Sequence, residues 1–86
     1  IKKIAKLPKK EAKSSVKRLS DRIVYEIDMP GVKSEKDVFI TKLHNSIEIK
    51  AVAKDKVYFK LIPLALPIIN YRLENEKLIL ELKPQE

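Results

Sequence analysis

The sequence predicts an all-β fold, an immunoglobulin-like antiparallel β-sandwich of about seven short strands. Three observations carry that expectation. From Val16 onward the chain breaks into short runs rich in β-branched and aromatic residues, apolar and polar positions alternate within those runs, and turn-forming residues separate them. The turns recur roughly every eight to twelve residues, the spacing of a two-sheet sandwich. Two packed sheets bury both alternating apolar sets, whereas a single open sheet leaves one of them in water.

Val16 to Leu19 is read as a first edge strand. In Arg22 to Met29, the residues Ile23, Tyr25, Ile27 and Met29 share one face, while Val24, Glu26 and Asp28 share the other. Pro30-Gly31 stops that strand, and the only glycine of the chain, directly after proline, predicts a turn with positive φ. Lys33 to Asp37 is a polar connection that suits one helical turn capped by Ser34.

Val38 to Leu43 is the next strand. His44-Asn45 is its turn, with asparagine suited to the left-handed conformation, and Ser46 to Ala53 is its hairpin partner with Ile47, Ile49 and Ala51 inward. Lys54-Asp55-Lys56 turns into Val57 to Ile62, where Val57, Phe59 and Leu61 alternate with Tyr58 and Lys60. Pro63 and Pro67 confine the stretch between them to an irregular crossover, because neither can donate to a ladder. A last hairpin joins Ile69 to Leu73 with Lys77 to Leu82 around Glu74-Asn75-Glu76, and Leu78, Leu80 and Leu82 form one apolar face.

At 86 residues there is room for one domain. The net charge of +7 divides unevenly. Residues 1–18 hold eight bases, Lys2, Lys3, Lys6, Lys9, Lys10 and Lys13 among them, against the single acid Glu11, while residues 19–86 hold eleven of each sign. The chain therefore divides into a basic N-terminal arm or linker, 1–15, and a sandwich domain, 16–84. A neutral body disfavours nucleic acid as the partner of a folded face. An electrostatic partner, whether nucleic acid, an acidic protein surface or anionic lipid, meets the arm first; a solvated linker is the plainer alternative. Pro8 interrupts the helical spacing of Ile1, Ile4, Ala5 and Leu7, leaving too little apolar surface for stable membrane binding.

No cysteine is present and His44 is the only histidine, so neither thiolate chemistry nor a transition-metal site is expected, and no cofactor. No apolar run approaches the roughly 20 residues that span a bilayer, and the expected location is cytoplasmic. Glu26 and Asp28 project to the same side of a strand, a geometry open to acid–base work but more simply a solvated face. His44 falls at a hairpin tip with no nucleophile near it in sequence. With one glycine there is neither a phosphate-binding loop nor a nucleophile elbow, so the chain is not expected to be an enzyme.

Four pieces, in order, resemble the α-crystallin domain of small heat-shock proteins and its relative, the CS domain of co-chaperones. They are Ile27-Asp28-Met29-Pro30-Gly31-Val32 with the acidic connection to Val38; Asn45-Ser46-Ile47-Glu48-Ile49; Tyr58-Phe59-Lys60-Leu61-Ile62-Pro63; and Asn75 to Leu82. The resemblance covers roughly residues 16–84. Glu76 stands where the family commonly has glycine, and Tyr71 where alanine is common. The family's long excursion after the Ser46 to Ala53 strand is replaced by Lys54-Asp55-Lys56, and only four residues follow Leu82, short of the family's Ile-x-Ile tail. In these respects the chain is similar to the heat-shock-like domain appended to ArsA-type ATPases, with Ile1 marking a cut from a longer chain and the arm a tether to an ATPase domain.

The resemblance implies an ATP-independent chaperone-like module, a holdase or co-chaperone, that binds unfolded or partner proteins. It also implies a monomer or a weak dimer paired through an edge strand. The alternatives are a docking or regulatory domain of an ArsA-type ATPase, and nucleic-acid binding through the arm. In the family, a groove between the strands matching Val38 to Leu43 and Ile69 to Leu73 accepts an extended apolar segment. Phe39, Thr41 and Leu43 lie opposite Val38 and Ile40, so one set is core and the other available. The run containing Ile62, Leu64, Leu66, Ile68 and Ile69 is either core or an exposed patch. These eight residues, Phe39, Thr41, Leu43, Ile62, Leu64, Leu66, Ile68 and Ile69, are the candidate protein-binding positions.

Overall fold

Backbone pairing in a computed structural model, which describes residues 7–84, places eight strands in two four-stranded sheets. The strands are β1 (Lys9–Glu11), β2 (Ser14–Arg18), β3 (Ile23–Asp28), β4 (Val38–Lys42), β5 (Ile47–Val52), β6 (Val57–Ile62), β7 (Ile68–Glu74) and β8 (Lys77–Leu82). One sheet runs β1-β6-β5-β4 and the other β2-β3-β8-β7. All pairings are antiparallel except β1 with β6.

The core is built from the alternating positions that the sequence singles out. Ile27 and Met29 on and after β3, Ile47, Ile49 and Ala51 on β5, and Leu78, Leu80 and Leu82 on β8 are all fully buried. Full burial of each large aliphatic side chain stabilises the fold by about 1.5–3 kcal/mol in transfer terms. Met29-Pro30-Gly31-Val32 closes as a turn with Val32 N–H donating to the Met29 carbonyl, and Gly31 sits at φ 95° as predicted. A Cβ there would also meet the Ala53 methyl at 3.3 Å. Ser34 caps a single 3-10 turn, Glu35–Asp37, by accepting from the Lys36 amide.

Three local expectations are revised. The first concerns β1, which lies inside the segment read as an arm: Lys9 and Lys10 are strand residues, Lys13 bridges β1 and β2, and no break marks the expected boundary between 15 and 16. With no apolar alternation, β1 is held through its backbone. Val57 N–H donates to the Pro8 carbonyl and Ala12 N–H to the Phe59 carbonyl, both at 2.9 Å, while Ala12 alone is buried. Lys2, Lys3 and Lys6 lie outside the described residues.

The second is the β4–β5 turn, where Asn45 is not left-handed. Leu43 N–H donates to the Ser46 carbonyl, and a connection of this length reverses the chain without positive φ. The third is the β7–β8 turn. Glu74 and Lys77 pair directly, so the loop is only Asn75 and Glu76, at φ 51° and 62°, the two left-handed residues of a type I′ hairpin.

Candidate functional site

A two-residue link carries the chain from β1 in one sheet to β2 in the other, which closes one side of the sandwich. The opposite side is bounded by the two remaining edge strands, β4 and β7. It is the open side, since no chain link joins these two strands, and each pairs on one flank only. An unpaired edge offers a row of donors and acceptors to an incoming strand unless a side chain takes them. One such blunting device is present: the Glu35 carboxylate, from the 3-10 turn before β4, accepts from the Leu73 amide of β7 at 3.3 Å.

On β4 the structure settles which face is core. Val38 is buried and Ile40 half-buried, so Phe39 and Thr41 face solvent, with Phe39 54% exposed. Leu43 follows at the mouth of the turn, also exposed. The run from Leu61 to Ile69 divides. Ile62 is completely buried, pairing with Ile47 across β5 and β6, and is withdrawn as a surface residue: its side chain points between the sheets. Leu64, Leu66 and Ile68 are half-buried against the core as the chain crosses from β6 to β7, while Ile69, in a β-bulge, is exposed. Phe39 and Leu43 are thus exposed on and just after β4, Phe39 on the outer face of its sheet, Ile69 is exposed on β7, and Leu64, Leu66 and Ile68 are partly accessible on the crossover and the start of β7.

Among the other exposed apolar residues, Phe59 and Leu61 belong to β6 of the same sheet as Phe39. Both alternating sets of β6 contain apolar residues, so periodicity alone does not orient the strand. Tyr58 does: it is buried, and its hydroxyl donates to the Pro30 carbonyl at 2.7 Å, which turns Phe59 and Leu61 outward.

The outer face of the other sheet differs in kind. It is a broad, open concavity in which charges are matched pairwise. Glu81 accepts from Arg22 at 2.8 Å and from Arg72 at 3.0 Å; Arg72 also pairs with Glu74, Arg22 with Asp21 and Lys17 with Glu26. The Arg72 hydrogen bond, aided by Arg22, holds the Glu81 carboxyl below its ordinary value. Glu26 and Asp28 are engaged by Lys17 and Lys77 rather than by each other, and His44 is exposed in the β4–β5 turn. Among the described residues no group of three or more histidine or acidic side chains is placed to hold a metal, and no helix is long and apolar enough to cross a membrane.

No family model and no curated protein matches the sequence. Solved structures do match in shape. Heat shock protein 16.0 from Schizosaccharomyces pombe superposes with a TM-score of 0.72 at 16% identity, over 91% of this chain and 69% of that one. A point mutant of hsp14.1 from Sulfolobus solfataricus P2 gives 0.69 at 13% identity, over 87% and 72% respectively. The strand order, the proline-glycine turn and these superpositions agree: the chain has the β-sandwich fold of the α-crystallin domain of small heat-shock proteins.

Proposed function

We propose that this chain is a protein-binding, chaperone-like module, ATP-independent in itself and not an enzyme, which holds extended apolar segments along its open side. The observation that carries this reading is the apolar surface left on and beside the two edge strands: Phe39, Leu43 and Ile69 exposed, and Leu64, Leu66 and Ile68 half-buried. An extended segment gains backbone hydrogen bonds from the unpaired strand edge and places alternate side chains among these residues. A cytoplasmic location and a role under stress accompany the reading, which the cysteine-free composition suits.

A second reading, a docking or regulatory domain of an ArsA-type ATPase, is favoured by one feature. β5 and β6 are joined by a tight turn, with Ala53 N–H donating to the Lys56 carbonyl at 2.8 Å, so no strand is available there for exchange with another subunit. A module without that device works as a monomer, as a weak edge-paired dimer, or beside a partner domain. Nucleic-acid binding through the arm is the third reading and rests only on the lysines of residues 1–13.

Light scattering of a heat-aggregating test protein, run beside sedimentation of the chain itself, separates the first two. Suppression at near-equimolar ratio, lost in Phe39→Asp and Ile69→Asp, is the expected result. A folded monomer that suppresses nothing refutes the holdase reading and leaves docking as the account.

A further inference from the structure

We infer that two copies of this chain pair face to face through the outer side of the β1-β6-β5-β4 sheet, about a two-fold axis that runs along β6. The first observation is what β6 presents outward. Four strands, β3, β5, β6 and β8, are paired on both flanks. The outward sets of β3 (Val24, Glu26, Asp28), β5 (Glu48, Lys50, Val52) and β8 (Lys77, Ile79, Glu81) all carry charge, as suits a sheet face in water. That of β6, Val57, Phe59 and Leu61, carries none, although Phe59 is 40% and Leu61 54% exposed.

The second observation is a register that complements itself. Glu11 pairs with Phe59 and Phe59 with Lys50, so one rung reads acid, ring, base across β1, β6 and β5, with all three side chains exposed. A half-turn about β6 lays a second copy on the first with Phe59 against Phe59 and Leu61 against Leu61. It also sets the Glu11 of each copy against the Lys50 of the other. An acid and a base placed one strand to either side of an apolar row is the arrangement that matches its own copy. The contact of Glu11 with Lys60, at 3.7 Å and open to solvent, is too weak to withhold it.

The remaining charges do not oppose this pairing. Lys9 and Lys50 balance Glu11 and Glu48 on this face, so two copies meet without net repulsion. Lys9 lies on the edge strand, and Glu48 faces the space beyond the end of β1, so both stay at the wet rim. Sheets stacked with their strands nearly aligned lie about 10 Å apart, which the half-turn allows. Three strands and three rungs make a contact at the small end of specific interfaces, so the dimer is weak and concentration-dependent. Phe39 lies one strand beyond Lys50 in the same rung, and the half-turn carries it past the β1 edge of the second copy. It stays uncovered, so the surface proposed for protein binding remains free and either reading can fail without the other.

The test is sedimentation equilibrium of the full chain from about 10 μM to about 1 mM. A monomer–dimer equilibrium is expected, weakened about tenfold or more by Phe59→Asp and unchanged by Phe39→Asp. Glu11→Lys and Lys50→Glu each bring like charges together at both contacts and are each expected to weaken self-association about tenfold. An equimolar mixture of these two variants is expected to dimerise like the parent, because every base then faces an acid. The inference is overturned by a chain that stays monomeric throughout the range, or by a dimer that Phe59→Asp leaves intact, as edge-strand pairing would. It is also overturned by a mixture that associates no better than its components.

Discussion

Glu76 is joined to Gly31 across the end of the sandwich: its carboxylate accepts from the Gly31 amide at 2.7 Å and pairs with the Lys33 ammonium. The Glu76 carbonyl meanwhile accepts from the Met29 amide at 2.9 Å. A position that resembles a glycine site is thus occupied by a residue held at φ 62°, a conformation side chains seldom adopt. The side chain offsets that conformational cost by clasping the β3 turn to the β7–β8 hairpin.

Glycine and alanine at this position therefore act differently. Glu76→Gly relieves the left-handed backbone while losing the clasp, and Glu76→Ala loses the clasp and keeps the strain. Thermal unfolding is expected to rank the parent above Glu76→Gly and Glu76→Gly above Glu76→Ala; an alanine variant as stable as the glycine variant would contradict the role assigned to the carboxylate.

Stability should depend on acid pH through two carboxyls. Glu76, held down chiefly by the hydrogen bond from Lys33, and Glu81, held down chiefly by that from Arg72, both titrate below the ordinary 4.5 when folded. A carboxyl with a depressed folded pKa contributes stability that is present above the unfolded value and is lost as pH falls through the folded one. The melting temperature is expected to be flat with respect to these groups above about pH 5.5 and to fall below 4.5. In Glu81→Gln the acid-side decline should be shallower, which melting curves at stepped pH would show.

Ile62 and Ile69, seven positions apart in one apolar run, should respond oppositely to truncation. Ile62→Ala removes side-chain volume from a fully buried site and is expected to cost about 2–5 kcal/mol in urea unfolding. Ile69→Ala, in an exposed bulge, is expected to cost no more than about 0.5 kcal/mol. Similar losses at both sites would mean that the crossover is packed more deeply than described.

Ala12 tests whether β1 belongs to the folded unit. Its methyl is buried beside β6, so Ala12→Asp places an unpaired carboxylate there and is expected to destabilise by about 2 kcal/mol or more. Hydrogen exchange should then quicken at the Val57 amide, which donates to the Pro8 carbonyl. Unchanged protection at Val57 would assign β1 no share in the stability of the sheet.

Much of this architecture is written in local pattern. The alternation of Ile23, Tyr25 and Ile27, of Ile47, Ile49 and Ala51, and of Leu78, Leu80 and Leu82 determined which faces are buried, because each set is wholly apolar or aromatic while the opposite set includes at least one charged residue. The single Pro30-Gly31 pair determined a positive-φ turn, because no other residue in that stretch tolerates one cheaply. Tertiary structure alone decided three further matters. It oriented β6, whose two faces are both partly apolar, by burying Tyr58 against the Pro30 carbonyl. It recruited Lys9–Glu11 as a strand, since backbone hydrogen bonds need no side-chain pattern. And it brought the lysines of β1 onto the same sheet as Phe39 and Phe59, a juxtaposition of residues far apart in the chain that only the parallel pairing of β1 with β6 creates.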